Sequence, residues 1–212
     1  MEMTLMNRLI AGLLLFPGIA LASDAINLTE DEFKMVRHYQ IALGDARVQR
    51  MKEGQRAAAI AKDAGYKVKD LQHALTKAEA AGDIKTKCEK NIAEALAGQA
   101  LSGPLGKVSV DTEEAHAVAY VEWQNDNPDR LEEEAALAGL RAAQSCPILS
   151  SIQVWAEAKA NPQQRIFQGL IARGAALRIN PDRVRDFAHT RYIKLFEKVK
   201  NAAAGDDLSG AK

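Results

Sequence analysis

Along most of the chain, apolar residues recur every three or four positions, the spacing of one helical face. After Thr29, whose pairing with Glu32 makes a capping box, Phe33, Val36, Leu43 and Ala46 keep that spacing. They predict a first helix from about Glu30 to about Lys52, weakened at Gly44. The stretch QRAAAIAKDAGYKVKDLQHALTKAEAAG predicts two helices meeting at a tight corner around Gly65. Gly82-Asp83 closes that hairpin, and Asp83 caps a further helix over 84–96 with Ile84, Cys88 and Ile92 facing inward. Gly98 to Gly106 (GQALSGPLG) is loop chemistry, and the Val108-Ser109-Val110 beyond it is strand-like but too short to matter alone.

The second half carries a periodic signal of its own. Asn127-Pro128 recurs as Asn161-Pro162, 34 residues later, and Pro147 recurs as Pro181 at the same offset. Apolar positions follow the shift: Val118 with Ile152, Val121 with Trp155, Leu137 with Ile171, Ala142 with Ala176. Proline suits the first turn of a helix and asparagine before it suits the N-cap. The punctuation predicts helices at about 112–125, 129–144, 148–159, 163–178 and 182–200. For HAVAYVEW and SSIQVWAEA strands compete, but in the second Ile148, Ile152, Trp155 and Ala156 share a helical face. A helical hairpin of this length resembles the tetratricopeptide repeat. Ala135, Ala142 and Pro147, then Gly169, Ala176 and Pro181, fall at that repeat's small and closing positions. The resemblance, over 112–181, implies stacked antiparallel helices; the competing reading is a helical bundle whose prolines coincide. The expected fold is therefore all-α, antiparallel helical hairpins with a tetratricopeptide-like stack in the C-terminal half.

The N-terminus changes the setting. Residues 9–23 read LIAGLLLFPGIALAS, an uncharged run broken by Pro17-Gly18 and too short for the roughly 20 residues of a membrane span. Arg8 precedes it and Ala20-Leu21-Ala22 ends it, the three parts of a secretory signal peptide cleaved after Ala22. The expected organisation is a signal peptide at 1–22, helical hairpins at 23–97, a Gly/Pro loop at 98–111, the repeat region at 112–200 and a disordered tail at 201–212. The protein is expected in the periplasm or outside the cell, with no stable membrane span after cleavage.

Composition narrows the function. Lys and Arg total 28, as do Asp and Glu, so a neutral chain has no global attraction for nucleic acid or anionic lipid. The corner at Gly65 looks like a DNA-binding helix-turn-helix, but the leader and the balanced charge argue for an ordinary helix crossing. The only cysteines, Cys88 and Cys146, are a candidate disulfide in an oxidising compartment. It would close a loop of about 59 residues, worth roughly 4 kcal/mol in the chain-entropy model. The four histidines are scattered, and no metal-ligand spacing, nucleophile motif or phosphate loop is present, so no catalytic residue, metal or cofactor is expected. Glu132, Glu133 and Glu134 fall in the first turn of an expected helix, where negative charge suits the dipole. Candidate binding residues are the aromatics Tyr120, Trp123 and Trp155, as anchors where exposed, and Arg191, Lys194 and Lys198 on the basic last helix. The expected function is an exported scaffold presenting a groove to a peptide or protein partner. The alternatives are a small envelope enzyme whose Glu and His residues converge in space, or a structural envelope protein without a pocket.

Overall fold

A computed structural model describes residues 25–97, 101–202, 205, 206 and 208. The leader at 1–22, part of the Gly/Pro loop and most of the tail lie outside these residues. The first half is helical, as its periodicity predicts. Helix α1 (Glu30–Ala42) starts at the Thr29/Glu32 capping box and buries Phe33 and Val36. The chain breaks at Leu43-Gly44 and resumes as α2 (Ala46–Gln49) and α3 (Glu53–Asp63). Gly65, at φ 75°, makes the corner into α4 (Val68–Ala81), and Gly82, at φ 66°, ends it. Both take a positive φ, which glycine tolerates. Asp83 accepts from the Thr86 amide at 3.1 Å and opens α5 (Ile84–Ala97).

The second half overturns the all-α expectation and the tetratricopeptide resemblance. It is a five-stranded sheet in the order β1 (Leu105–Asp111), β2 (Ala117–Asn125), β3 (Leu149–Ala158), β4 (Asn161–Ala172) and β5 (Phe196–Asn201). Only β2 and β3 are parallel, and α6 (Leu131–Ser145) is the crossover that parallel strands require. The expected helix 112–125 is a hairpin loop and β2, 148–159 is β3, and 163–178 is β4 followed by the single turn α7 (Arg173–Ala176). In place of the expected last helix come α8 (Val184–Phe187), short π and 3₁₀ turns, and β5. Only the helix expected at 129–144 is present, as α6.

The reason is a period of two. Ala117, Ala119, Val121, Trp123 and Asn125 are buried, and the residues between them are half-buried. Ile148, Ile152 and Ala156 stand four apart, a spacing that fits either period; buried Val154 between them decides for strand. The 34-residue shift also fails on register. Strand β2 pairs β3 at an offset of 33, Ala119 with Ile152 and Val121 with Val154. One residue of slip in a strand exchanges its faces, so pairing Val121 with Trp155 joins opposite sides of the sheet.

Helices α5 and α6 pack on the face made by Ala119, Val121, Trp123, Ile152, Val154, Phe167 and Ile171, which join α1 and α4 residues in one core. Small residues Ala135, Ala138, Gly139 and Ala142 let α6 lie close to the strands. A Cβ on Gly139 would stand 3.2 Å from Ile171. The expected disulfide is present: Cys88 of α5 bonds Cys146 at the end of α6, and both are fully buried. Among the described residues, no helix is long and apolar enough to cross a membrane.

Candidate functional site

The sheet's other face carries polar and aromatic side chains in rows across the strands. One row runs Ser109, Tyr120, Gln153, Leu170, Glu197. The next runs Glu122, Trp155, Gln168, Lys200, and the third Gln124, Glu157, Arg165. Positions on β2 and β3 in these rows are half-buried, in contrast to the sealed helix-side positions between them. The rows exist because Tyr120-x-Glu122-x-Gln124 and Gln153-x-Trp155-x-Glu157 alternate with buried residues, so each triplet shares one face.

Trp155 is the centre of this face. Its indole N–H donates to Glu122 Oε2 at 2.8 Å, and its ring lies 5.9 Å from that of Tyr120, tilted by 53°. The Arg165 guanidinium stacks over it at 4.8 Å. Gly106 makes room for Glu122: a Cβ there would stand 3.2 Å from its backbone oxygen and 3.3 Å from Oε1. Burial, then the charge of Glu122, push the Glu157 carboxyl above its ordinary value, against the pull of Arg165. Gln168 holds a buried side-chain oxygen with no hydrogen-bond partner. The surface thus pairs flat aromatic area with carboxylates and amides.

The residues expected from sequence are divided between environments. Tyr120 and Trp155 sit side by side on the open face. Trp123 points the other way and is fully buried, its N–H donating to Glu134 Oε2 at 2.9 Å. Arg191, Lys194 and Lys198 are exposed, but they lie on a π turn, a 3₁₀ turn and β5 in place of one helical face. Lys198 has φ 53°, in the left-handed region. The three glutamates at the start of α6 each take a partner. Glu132 meets His189 at 2.7 Å, Glu133 meets Arg130 at 3.2 Å, and Glu134 is completely buried. Glu134 accepts from Trp123, from Asn125 Nδ2 at 2.9 Å, and from the Ser102 amide at 2.8 Å and hydroxyl at 3.2 Å. That is a structural clasp joining the loop before β1, β2 and α6.

Glu122, Glu157, Arg165 and Gln168 were not singled out by sequence reasoning. The alternating triplets carry the signal for the first two, and they are visible only once 117–125 and 149–158 are taken as strands. The histidines do not converge: His38 stacks on Tyr66, His116 meets Ser150 at 3.4 Å, and His189 meets Glu132. Among the described residues, no group of three or more His, Cys, Asp or Glu is placed to hold a metal ion. A cleft of about 550 Å³ lies between α1 and α4, lined by Phe33, Val36, Tyr39, Leu75 and Thr112, away from the polar rows. No family model, curated protein or solved structure matches this chain.

Proposed function

We propose that this chain is an exported binding protein whose open sheet face docks a segment of a protein partner. The observation that carries the reading is the half-buried Tyr120–Trp155 pair, ringed by Glu122, Gln153, Glu157 and Gln168 on the face opposite α5 and α6. A sheet with one solvated face ordinarily shows polar side chains there. Large aromatics amid polar neighbours are the composition of a contact surface, where Tyr and Trp supply area at little entropic cost. The short apolar leader and the buried Cys88–Cys146 bridge both fit an oxidising compartment.

The test is a backbone-amide NMR map of the purified protein titrated with a panel of short extended peptides that differ in charge. Docking on the sheet predicts shifts concentrated at 118–124, 151–157 and 165–170. Shifts confined to the α1–α4 cleft, or none with any peptide, contradict the reading.

A further inference from the structure

We infer that the segment docked on this face carries arginine, whose guanidinium lies between Glu122 and Glu157, which neighbour each other diagonally across β2 and β3. The inference rests on the docking role proposed above and adds the chemistry of the partner.

Three observations lead to it. The first is the set of carboxylate acceptors. Glu122 uses Oε2 on the Trp155 indole, and its Oε1 lies over Gly106. Glu157 stands opposite Arg165 across β3 and β4, and the buried Gln168 oxygen, next to Trp155 in its row, has no donor. The half-buried carboxylates are the acceptors on this face that a ligand's N–H groups can reach.

The second is charge. The rows hold Glu122, Glu157 and Glu197 against Arg165 and Lys200, and the edge strand β1 adds one charge of each sign, Asp111 and Lys107. At Glu157 itself, repulsion from Glu122 outweighs attraction from Arg165. A cation placed between the two carboxylates relieves that repulsion, whereas an acidic peptide, a nucleic acid or an anionic lipid adds to it.

The third is the chain's own use of the platform. Arg165 already stacks its guanidinium on one side of Trp155. Tyr120, with Glu122 two residues on along the same face of β2, offers comparable surroundings. Arginine fits better than lysine because its planar fork gives donors to two carboxylates at once.

Calorimetric titration of the purified protein tests this, with a short Ser/Gly peptide carrying arginines and its versions with Glu or Ser in place of Arg. The arginine peptide is expected to bind, with affinity falling about tenfold in E122Q and in E157Q, the loss typical of one charge-assisted hydrogen bond. Both substitutions keep side-chain shape, and the amide map of each variant checks that the sheet is intact. If the Ser or Glu peptide shifts the open-face amides as strongly as the arginine peptide, docking stands and the arginine inference falls. If no peptide shifts that face, both fall. Arginine-peptide affinity unchanged in both variants, or free arginine binding as tightly as the peptide, also overturns the inference.

Discussion

Two buried or half-buried glutamates behave in opposite ways, and each makes a prediction. Glu134 is fully buried and satisfied by donors from Trp123, Asn125 and Ser102. E134A would strand those donors in the core, at a cost of about 3 kcal/mol, the upper range for loss of a charged acceptor. Urea unfolding measures it, and a loss well under 1 kcal/mol would contradict the clasp. E134Q keeps one acceptor oxygen and should fall between wild type and E134A.

Glu157 is held above its ordinary value by burial and by Glu122, so the folded state binds its proton more tightly than the unfolded chain does. Its contribution to stability is therefore favourable below the ordinary glutamate range and is lost as pH rises through the folded value. E157Q should stabilise the protein at neutral pH, and the gain should vanish in acid. Glu30 and Glu32 run the other way. Burial raises both, but Lys34 with Ser150 and Lys77 with Thr29 outweigh it and hold them below 4.5. Their contribution is present above that value and is lost as pH falls through the folded one. Urea midpoints of wild type and E157Q across the carboxylate range separate the two directions. An E157Q gain that persists in acid would contradict the assignment.

At the scale of elements, the Cys88–Cys146 bridge ties α5 to the end of α6 across 58 residues of sequence. It should contribute roughly 2–4 kcal/mol by restricting the unfolded chain. The double variant C88A/C146A should lose that amount in denaturant unfolding, and unchanged stability would show that the bridge constrains little. Gly103 has a related role in placing the loop before β1. A Cβ there would run into the Gln124 backbone carbonyl, so a larger residue forces this loop to shift.

The helices of the first half were legible in the sequence because caps and a period of 3.6 agree there: the Thr29/Glu32 box, Gly65, Gly82 and Asp83 all sit where they were expected. The sheet was misread because local punctuation does not determine the element it introduces. Asn127, Asn161 and Asn180 each accept a hydrogen bond from the amide two residues on, past an intervening proline. That same Asn-Pro turn leads into a helix at 128, a strand at 162 and a short turn at 181. AVAYVEW carries the strand formers Val118, Tyr120, Val121 and Trp123 in strict alternation with residues of the other face, and the repeated proline spacing drew the reading away from that signal. Two of the three aromatics singled out in the sequence, Tyr120 and Trp155, share the open face. The burial of Trp123 and the recruitment of Glu122, Glu157 and Gln168 arise from an alternation that the helical reading concealed.

At the scale of the whole molecule, a neutral chain separates its surfaces. One side of the sheet is sealed by α5 and α6, braced by a disulfide and a buried carboxylate, and so is rigid. The other presents aromatic area and carboxylates on that base. Rigidity matters for recognition because a preformed surface spends little entropy on ordering itself when a partner arrives. The most direct measurement is site-specific photo-crosslinking in intact cells that make the protein, with the reactive residue at Gln153 on the open face or at exposed Gln72 on α4. A partner adduct from position 153, absent from position 72 and lost when Glu122 and Glu157 are both replaced by Gln, is the predicted result. Adducts only from position 72, or from neither, would mean that the open sheet face is not where this protein meets its partner.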